Sequence, residues 1–146
     1  MSPLTASKKV IHVAKVEKGA LKSASPQELI EGFVREWKIF EFADVDAANR
    51  QYPVAVAYDE EIARRGGLRS LAPLMDHDDP FIAYNAARLL MALDDLRDRA
   101  LATLDRIADA RVGFASSQAD TARHIARYGE PYPSAEVIAR IDRGGR

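Results

Sequence analysis

A chain of 146 residues with 47% apolar and 29% charged side chains has the size and composition of one ordinary globular domain. Its 21 basic and 22 acidic residues leave a net charge of −1, which disfavours a general nucleic-acid binder. The absence of cysteine excludes a disulfide framework, a thiol nucleophile and a thiolate zinc site. No apolar run approaches the roughly 18 residues of a membrane span, and the N-terminal stretch lacks the unbroken apolar core of a signal peptide. A cytoplasmic protein is expected.

Charge is unevenly placed along the chain. Residues 1–25 carry Lys8, Lys9, Lys15, Lys18 and Lys22 against Glu17, a local net of +4, whereas residues 41–109 hold 14 acidic and 8 basic groups, a net of −6. This shift separates a basic, flexible arm (1–24) from a helical domain (25–146). Within the arm, Val10, Ile11, Val13 and Val16 form an apolar strip too short for its own core, suited to lie against the body or a partner.

Helix signals begin at Ser25-Pro26-Gln27-Glu28, a capping serine followed by proline at N1 and glutamate at N3. Leu29, Ile30, Phe33, Val34, Trp37 and Phe40 then recur at helical spacing, while Ile39 and Phe42 fall off that stripe. Either the helix ends near Ile39 or its second face is covered. A second helix opens after Asp44 with Val45, Ala48 and Tyr52 on its stripe, resumes through Val56, Asp59, Ile62 and Ala63, and stops at Gly66-Gly67. Pro53 predicts a kink or break inside it. Val54–Val56 is a weak strand signal.

Leu68–Met75 reads as a short helix. Asp79 caps another that starts at Pro80 and runs through Ile82, Ala86, Leu89, Leu90 and Leu93. Asp94-Asp95 is expected to open the next, burying Ala100, Leu101, Leu104, Ile107 and Ala108. Residues 116–128, with Ala119, Ala122, Ile125 and Ala126 inward, and 134–142, with Val137, Ile138 and Ile141, complete an all-α reading.

Short helices joined by tight acidic or glycine turns suit stacked antiparallel pairs. The stretch from Leu68 to Leu90 resembles one HEAT repeat in its leucine-rich first helix, its Asp76–Asp79 turn and its Ala86-Ala87 crossing, although Ala83 stands where such repeats often carry arginine. A wider resemblance rests on Leu21–Phe33, on Ala48-Asn-Arg-Gln-Tyr52, on Leu71-Ala-Pro-Leu-Met-Asp-His77 and on Asn85-Ala-Ala87. Across residues 19–143 the chain is similar to an uncharacterised family of short bacterial HEAT-like proteins, a domain-of-unknown-function family; Pro53 departs from its pattern. The resemblance implies a HEAT-like α-α superhelix of about six or seven short antiparallel helices, and no activity.

Candidate chemistry is sparse. Asp76-His77-Asp78-Asp79 could hold a hard cation or share a proton, yet it lacks the glycine and distal glutamate of a calcium loop, and a helix-capping acidic turn explains every residue. Asp120 and His124 sit one helical turn apart with no third ligand at suitable spacing. Adjacent pairs such as Glu60-Glu61 and Asp94-Asp95 diverge rather than converge on a substrate. Gly66-Gly67 is better explained as a helix stop than as an anion nest. A non-enzyme is therefore expected, with no cofactor and no metal.

What remains is a binding surface. Tyr84, Arg88 and Met91 lie at i, i+4 and i+7 opposite the Ile82–Leu93 stripe, and all three are residue types enriched at interfaces. The acidic middle points to a partner protein with a basic surface. An immunity-type or regulatory binding protein fits such a short chain by analogy alone. The alternative is a HEAT-like nucleic-acid binder using the lysine arm with Arg123, Arg127, Arg140, Arg143 and Arg146.

Overall fold

The computed structural model describes residues 21–129, and among these it is helical with no strand. Five α-helices and one 3₁₀ helix lie wholly within that range: α1 (Pro26–Glu41), α2 (Val45–Arg64), the 3₁₀ helix (Leu68–Asp76), α3 (Pro80–Leu90), α4 (Arg97–Ala110) and α5 (Gly113–Tyr128). The arm's Val10–Val16 strip and the helix expected over 134–142 fall outside the described residues. The chain divides between Pro73 and Leu74 into two compact units.

In the first unit, α1 starts as its sequence dictates. Glu28 N–H donates to Ser25 Oγ at 3.1 Å and Ser25 N–H donates to Glu28 Oε1 at 2.7 Å, closing a capping box before Pro26. Asp44 caps α2 by accepting from Ala47 N–H at 2.8 Å. The helix ends in a Schellman turn: Gly66 adopts φ +69°, Gly66 N–H reaches Ala63 O and Gly67 N–H reaches Ile62 O.

Two expectations for α2 need correcting. Of the kink or break expected at Pro53, the break does not occur: the element is continuous over Val45–Arg64. Proline and Asn49, whose carbonyl loses its helical donor, are both exposed, so water can satisfy that carbonyl. The buried face keeps Asp59 and Ile62 of the predicted stripe but adds Gln51, Val54, Ala55 and Tyr58, while Val45, Tyr52 and Ala63 are exposed. Val54–Val56, the weak strand signal, is helix.

Polar side chains help to set this face. Trp37 Nε1 donates to Asp59 Oδ1 at 2.9 Å, and Gln51 Nε2 donates to Glu36 Oε1 at 2.5 Å. Arg35 donates to Glu36 at 2.8 Å and to the Tyr58 hydroxyl at 3.0 Å. These bonds satisfy groups that would otherwise be costly to bury. Together with Arg65, which donates to the carbonyls of Leu21 and Ala24, they set α1 and α2 antiparallel. Gly32 allows the close approach: a Cβ there would lie 2.0 Å from Tyr58 Cε1.

The second unit packs α3 against both α4 and α5, and α4 against α5. Asp79 caps α3 as expected, accepting from Phe81 N–H at 2.9 Å. Phe81 through Ala87 are all buried, so α3 lacks the exposed face that its stripe implied. It also stops at Leu90 rather than reaching Leu93, and α4 starts at Arg97 without a side-chain cap rather than at Asp94-Asp95. Ala100, Leu104, Ile107 and Ala108 are buried as predicted; Leu101 is only half-buried. Leu68–Met75, read as a short helix, is a 3₁₀ helix containing Pro73.

The tie between α4 and α5 is ionic. Arg123 pairs with Asp105 at 3.3 Å, Asp109 at 2.9 Å and Asp120 at 2.9 Å, and Arg127 pairs with Asp105 at 2.8 Å. Beneath them, Ser116 Oγ donates to Ile107 O at 2.7 Å and accepts from Val112 N–H at 2.8 Å.

Candidate functional site

The candidate site lies in the second unit, where α3, α4 and α5 leave an apolar groove of about 580 Å³. That volume is within the range of small-molecule and side-chain pockets, roughly 300–1,000 Å³. Its origin is a helix face that no other described helix covers. Of the α5 stripe predicted to point inward, Ala119 is fully buried, but Ala122 and Ala126 are half-buried and Ile125 is 43% exposed. Those three, with Leu104 of α4, make the apolar floor and wall. Small alanines leave the space; a larger residue at either position would fill it.

The opposite wall comes from the end of α3. Tyr84, Arg88 and Met91 all line this groove, so the i, i+4, i+7 spacing places them together, although Met91 is in the turn that ends α3 rather than inside it. Tyr84 is only 9% exposed and stacks on Phe81 with ring centroids 5.8 Å apart. Asn85, buried completely, donates to Phe81 O and accepts from Arg88 Nε at 2.9 Å. This holds the guanidinium above the Tyr84 ring, 6.0 Å from its centroid. At the neighbouring edge, Arg97 Nη1 donates to Met91 O at 2.9 Å and fixes the turn.

The groove therefore has an apolar interior with two positioned arginines at its margin, Arg88 and Arg97. Sequence reasoning located the α3 contribution alone. Leu104 and Arg97 of α4 could only be assigned once the helices were packed. The α5 contribution has a readable signal, since Ala122, Ile125 and Ala126 share one stripe, but spacing alone does not tell a buried stripe from an open one.

Several residues of the other candidate clusters have structural partners. In the acidic turn, Asp76 pairs with Arg99 at 3.2 Å, Asp79 caps α3, and His77 Nδ1 accepts from Asp79 N–H at 2.9 Å. Asp120 pairs with Arg123, while His124 contacts the Tyr128 ring, centroids 4.6 Å apart. Glu61 accepts from Arg64 and Arg65, and these hydrogen bonds pull its carboxyl from an ordinary 4.5 to about 2. The Asp105 carboxyl is likewise lowered, first by its bonds from Arg127. Among the described residues no three His, Cys, Asp or Glu side chains are grouped to hold a metal ion. None of the described helices is long and apolar enough to cross a membrane.

Of the five C-terminal arginines suggested for nucleic acid, Arg123 and Arg127 are committed to carboxylates, and Arg140, Arg143 and Arg146 lie outside the described residues. No family model, curated protein or solved structure matches this chain.

Proposed function

We propose that this chain is a non-catalytic protein-binding module that takes apolar side chains of a partner into the α3–α4–α5 groove. The observation that supports this reading is the α5 stripe that the other described helices leave open, Ala122, Ile125 and Ala126, facing Tyr84, Arg88 and Met91 across an apolar cleft. Tyr, Arg and Met combine large contact area with few polar groups to desolvate, the composition of interface hot spots. Arg88 and Arg97 at the margin favour a partner segment that carries a carboxylate beside its apolar residues. The acid-rich surface elsewhere in residues 41–109 accommodates basic groups further out.

The non-catalytic reading is supported by the structural occupation of the carboxylate and histidine clusters just described. A HEAT-like superhelix, membership of the uncharacterised bacterial family, a cytoplasmic setting and a regulatory or immunity-type role belong to the same proposal, and rest on the sequence features alone.

The test is affinity capture from source-cell lysate with the wild-type chain and with Arg88→Glu and Ala122→Arg, using Gln27→Glu on α1 as a surface control. One stoichiometric protein retained by wild type and control but lost from both groove variants is the expected result. Retention by all four chains would move the binding surface elsewhere; a nuclease-sensitive association would favour the nucleic-acid alternative.

A further inference from the structure

A segment that fills the α3–α4–α5 groove must suit it in backbone as well as in side chains. We infer that this segment is an amphipathic α-helix of the partner, carrying a carboxylate beside its apolar stripe. The inference rests on the protein-binding reading above and adds the form and charge of what binds.

The lining has the spacing of a helix-packing face. α5 contributes Gln118, Thr121, Ala122, Ile125 and Ala126, which stand at i, i+3, i+4, i+7 and i+8. That pattern is the face one helix presents to another. From Gln118 to Ala126 it runs about 12 Å at 1.5 Å per residue, the length of two helical turns. Ala122 and Ala126 lie one turn apart, so a facing helix can approach to the short end of the usual range, roughly 8–10 Å between axes.

The backbone argues against an extended segment. A chain entering an apolar cleft loses water from its N–H and C=O groups, and each one left unpaired is costly. Extended peptides meet that need at an open sheet edge, but the described residues contain no strand. The walls are α-helices, whose backbone groups bond within the helix. Two of the polar lining side chains already serve their own chain: the Thr121 hydroxyl donates to Ser117 O at 3.3 Å, and Arg97 Nη1 donates to Met91 O at 2.9 Å. A helix arrives with its backbone already paired.

Charge fixes the sign of the polar residue. Arg88 and Arg97 stand at the margin, and none of the described lining residues is acidic. Asp94, Asp95 and Asp98 flank Arg97 in sequence but are outside the lining. Asn85 Oδ1 holds Arg88 Nε at 2.9 Å, as Met91 O holds Arg97, so both guanidiniums are positioned at one edge. A guanidinium fork suits a carboxylate. The partner helix would place its acid towards the end of α3 and the start of α4, and its apolar residues on Ala122, Ile125 and Ala126.

The probe is a phage library of random peptides of about 16 residues, long enough to cross the groove as a helix. It is panned against the immobilised full-length chain and counter-screened on Ala122→Arg. Expected are peptides with apolar residues at i, i+3 or i+4, and i+7 together with Asp or Glu, all lost on Ala122→Arg. Proline placed in mid-peptide should then weaken binding by about tenfold or more. Arg97→Glu, at an exposed position, should weaken it by about fivefold at low salt, and by less as salt is added.

Peptides lost on Ala122→Arg that tolerate proline, carry basic residues in place of acid, or bind Arg97→Glu undiminished would overturn the inference and leave the groove as a protein site. Peptides indifferent to Ala122→Arg would overturn both. No enriched peptide at all would overturn the helix inference alone, since capture of a lysate partner still tests the wider reading. A full-length chain that sediments as a dimer, and as a monomer with Ala122→Arg, would also overturn it by assigning the groove to a second copy.

Discussion

Both units bury hydrogen-bonded polar side chains, Asn85, Thr103 and Ser116 in the second, but they place their charged groups differently. The α1–α2 hairpin buries polar groups, Glu36, Gln51 and Asp59, and satisfies them with Gln51 and Arg35, Glu36, and Trp37. The α3–α4–α5 unit keeps its ion pairs at the surface, and its described helices leave apolar side chains of α5 partly exposed. Buried hydrogen bonds tolerate one register, so they specify how two helices pair. A partly exposed apolar stripe adds less to the unit's own stability than a buried one and offers a surface for binding. On this comparison buried charged groups define the helix pairing of the first unit, whereas in the second the charged groups stand at the surface and apolar α5 side chains line a groove.

The largest effect is expected where the hairpin is tightest. Gly32→Ala puts a Cβ 2.0 Å from the Tyr58 ring, which is itself buried and held by Arg35. A loss of about 3 kcal/mol in denaturant unfolding is expected, and Tyr58→Leu in the same chain should recover part of it. A neutral Gly32→Ala would mean that α1 and α2 do not approach this closely.

Next in size is Asp59→Ala, which strands the Trp37 indole N–H in a buried site at a cost of about 2 kcal/mol. Asp59→Asn keeps an acceptor and should cost less; since Trp37 is the only tryptophan, its fluorescence separates the two variants directly.

Acid sharpens the contrast further. The Glu61 carboxyl is depressed in the folded chain, so its contribution is complete above its ordinary 4.5 and is lost as pH falls towards about 2. Glu61→Gln should flatten the fall of thermal stability over that window; an unchanged slope would remove Glu61 from acid unfolding.

In the second unit, Arg123→Ala leaves Asp105, Asp109 and Asp120 without their shared cation. Because these groups are partly exposed, a loss of about 1 kcal/mol or less is expected at low salt, shrinking as salt is added. Smallest of all should be Ala122→Arg, within about 0.5 kcal/mol of wild type, because it fills open space rather than core.

The sequence was most legible where structure is local. Ser25, Asp44, Asp79 and Gly66 mark helix ends through bonds to residues two to four positions away, and each does so in the structure. The face of α2 was less legible: Asp59 and Ile62 fall on the stripe that spacing predicts, but Gln51 looks solvent-directed until Glu36 is brought opposite it. Gly32 carried no visible signal either: the ring that needs its missing Cβ is 26 positions away in sequence. For the groove, periodicity on α3 found Tyr84, Arg88 and Met91, but periodicity on α5 predicts which residues share a face and says nothing about whether that face is covered. Hence Ala122, Ile125 and Ala126 were expected in the core and instead line the cleft.

Hydrogen exchange of the chain with and without its captured partner tests the central claim most directly. Binding in the groove predicts slower exchange in α5 around Thr121–Ala126 and at the end of α3 near Arg88–Met91, with α1 and α2 unchanged. Protection confined to Pro26–Arg64, with α5 exchanging as in the free chain, would contradict it.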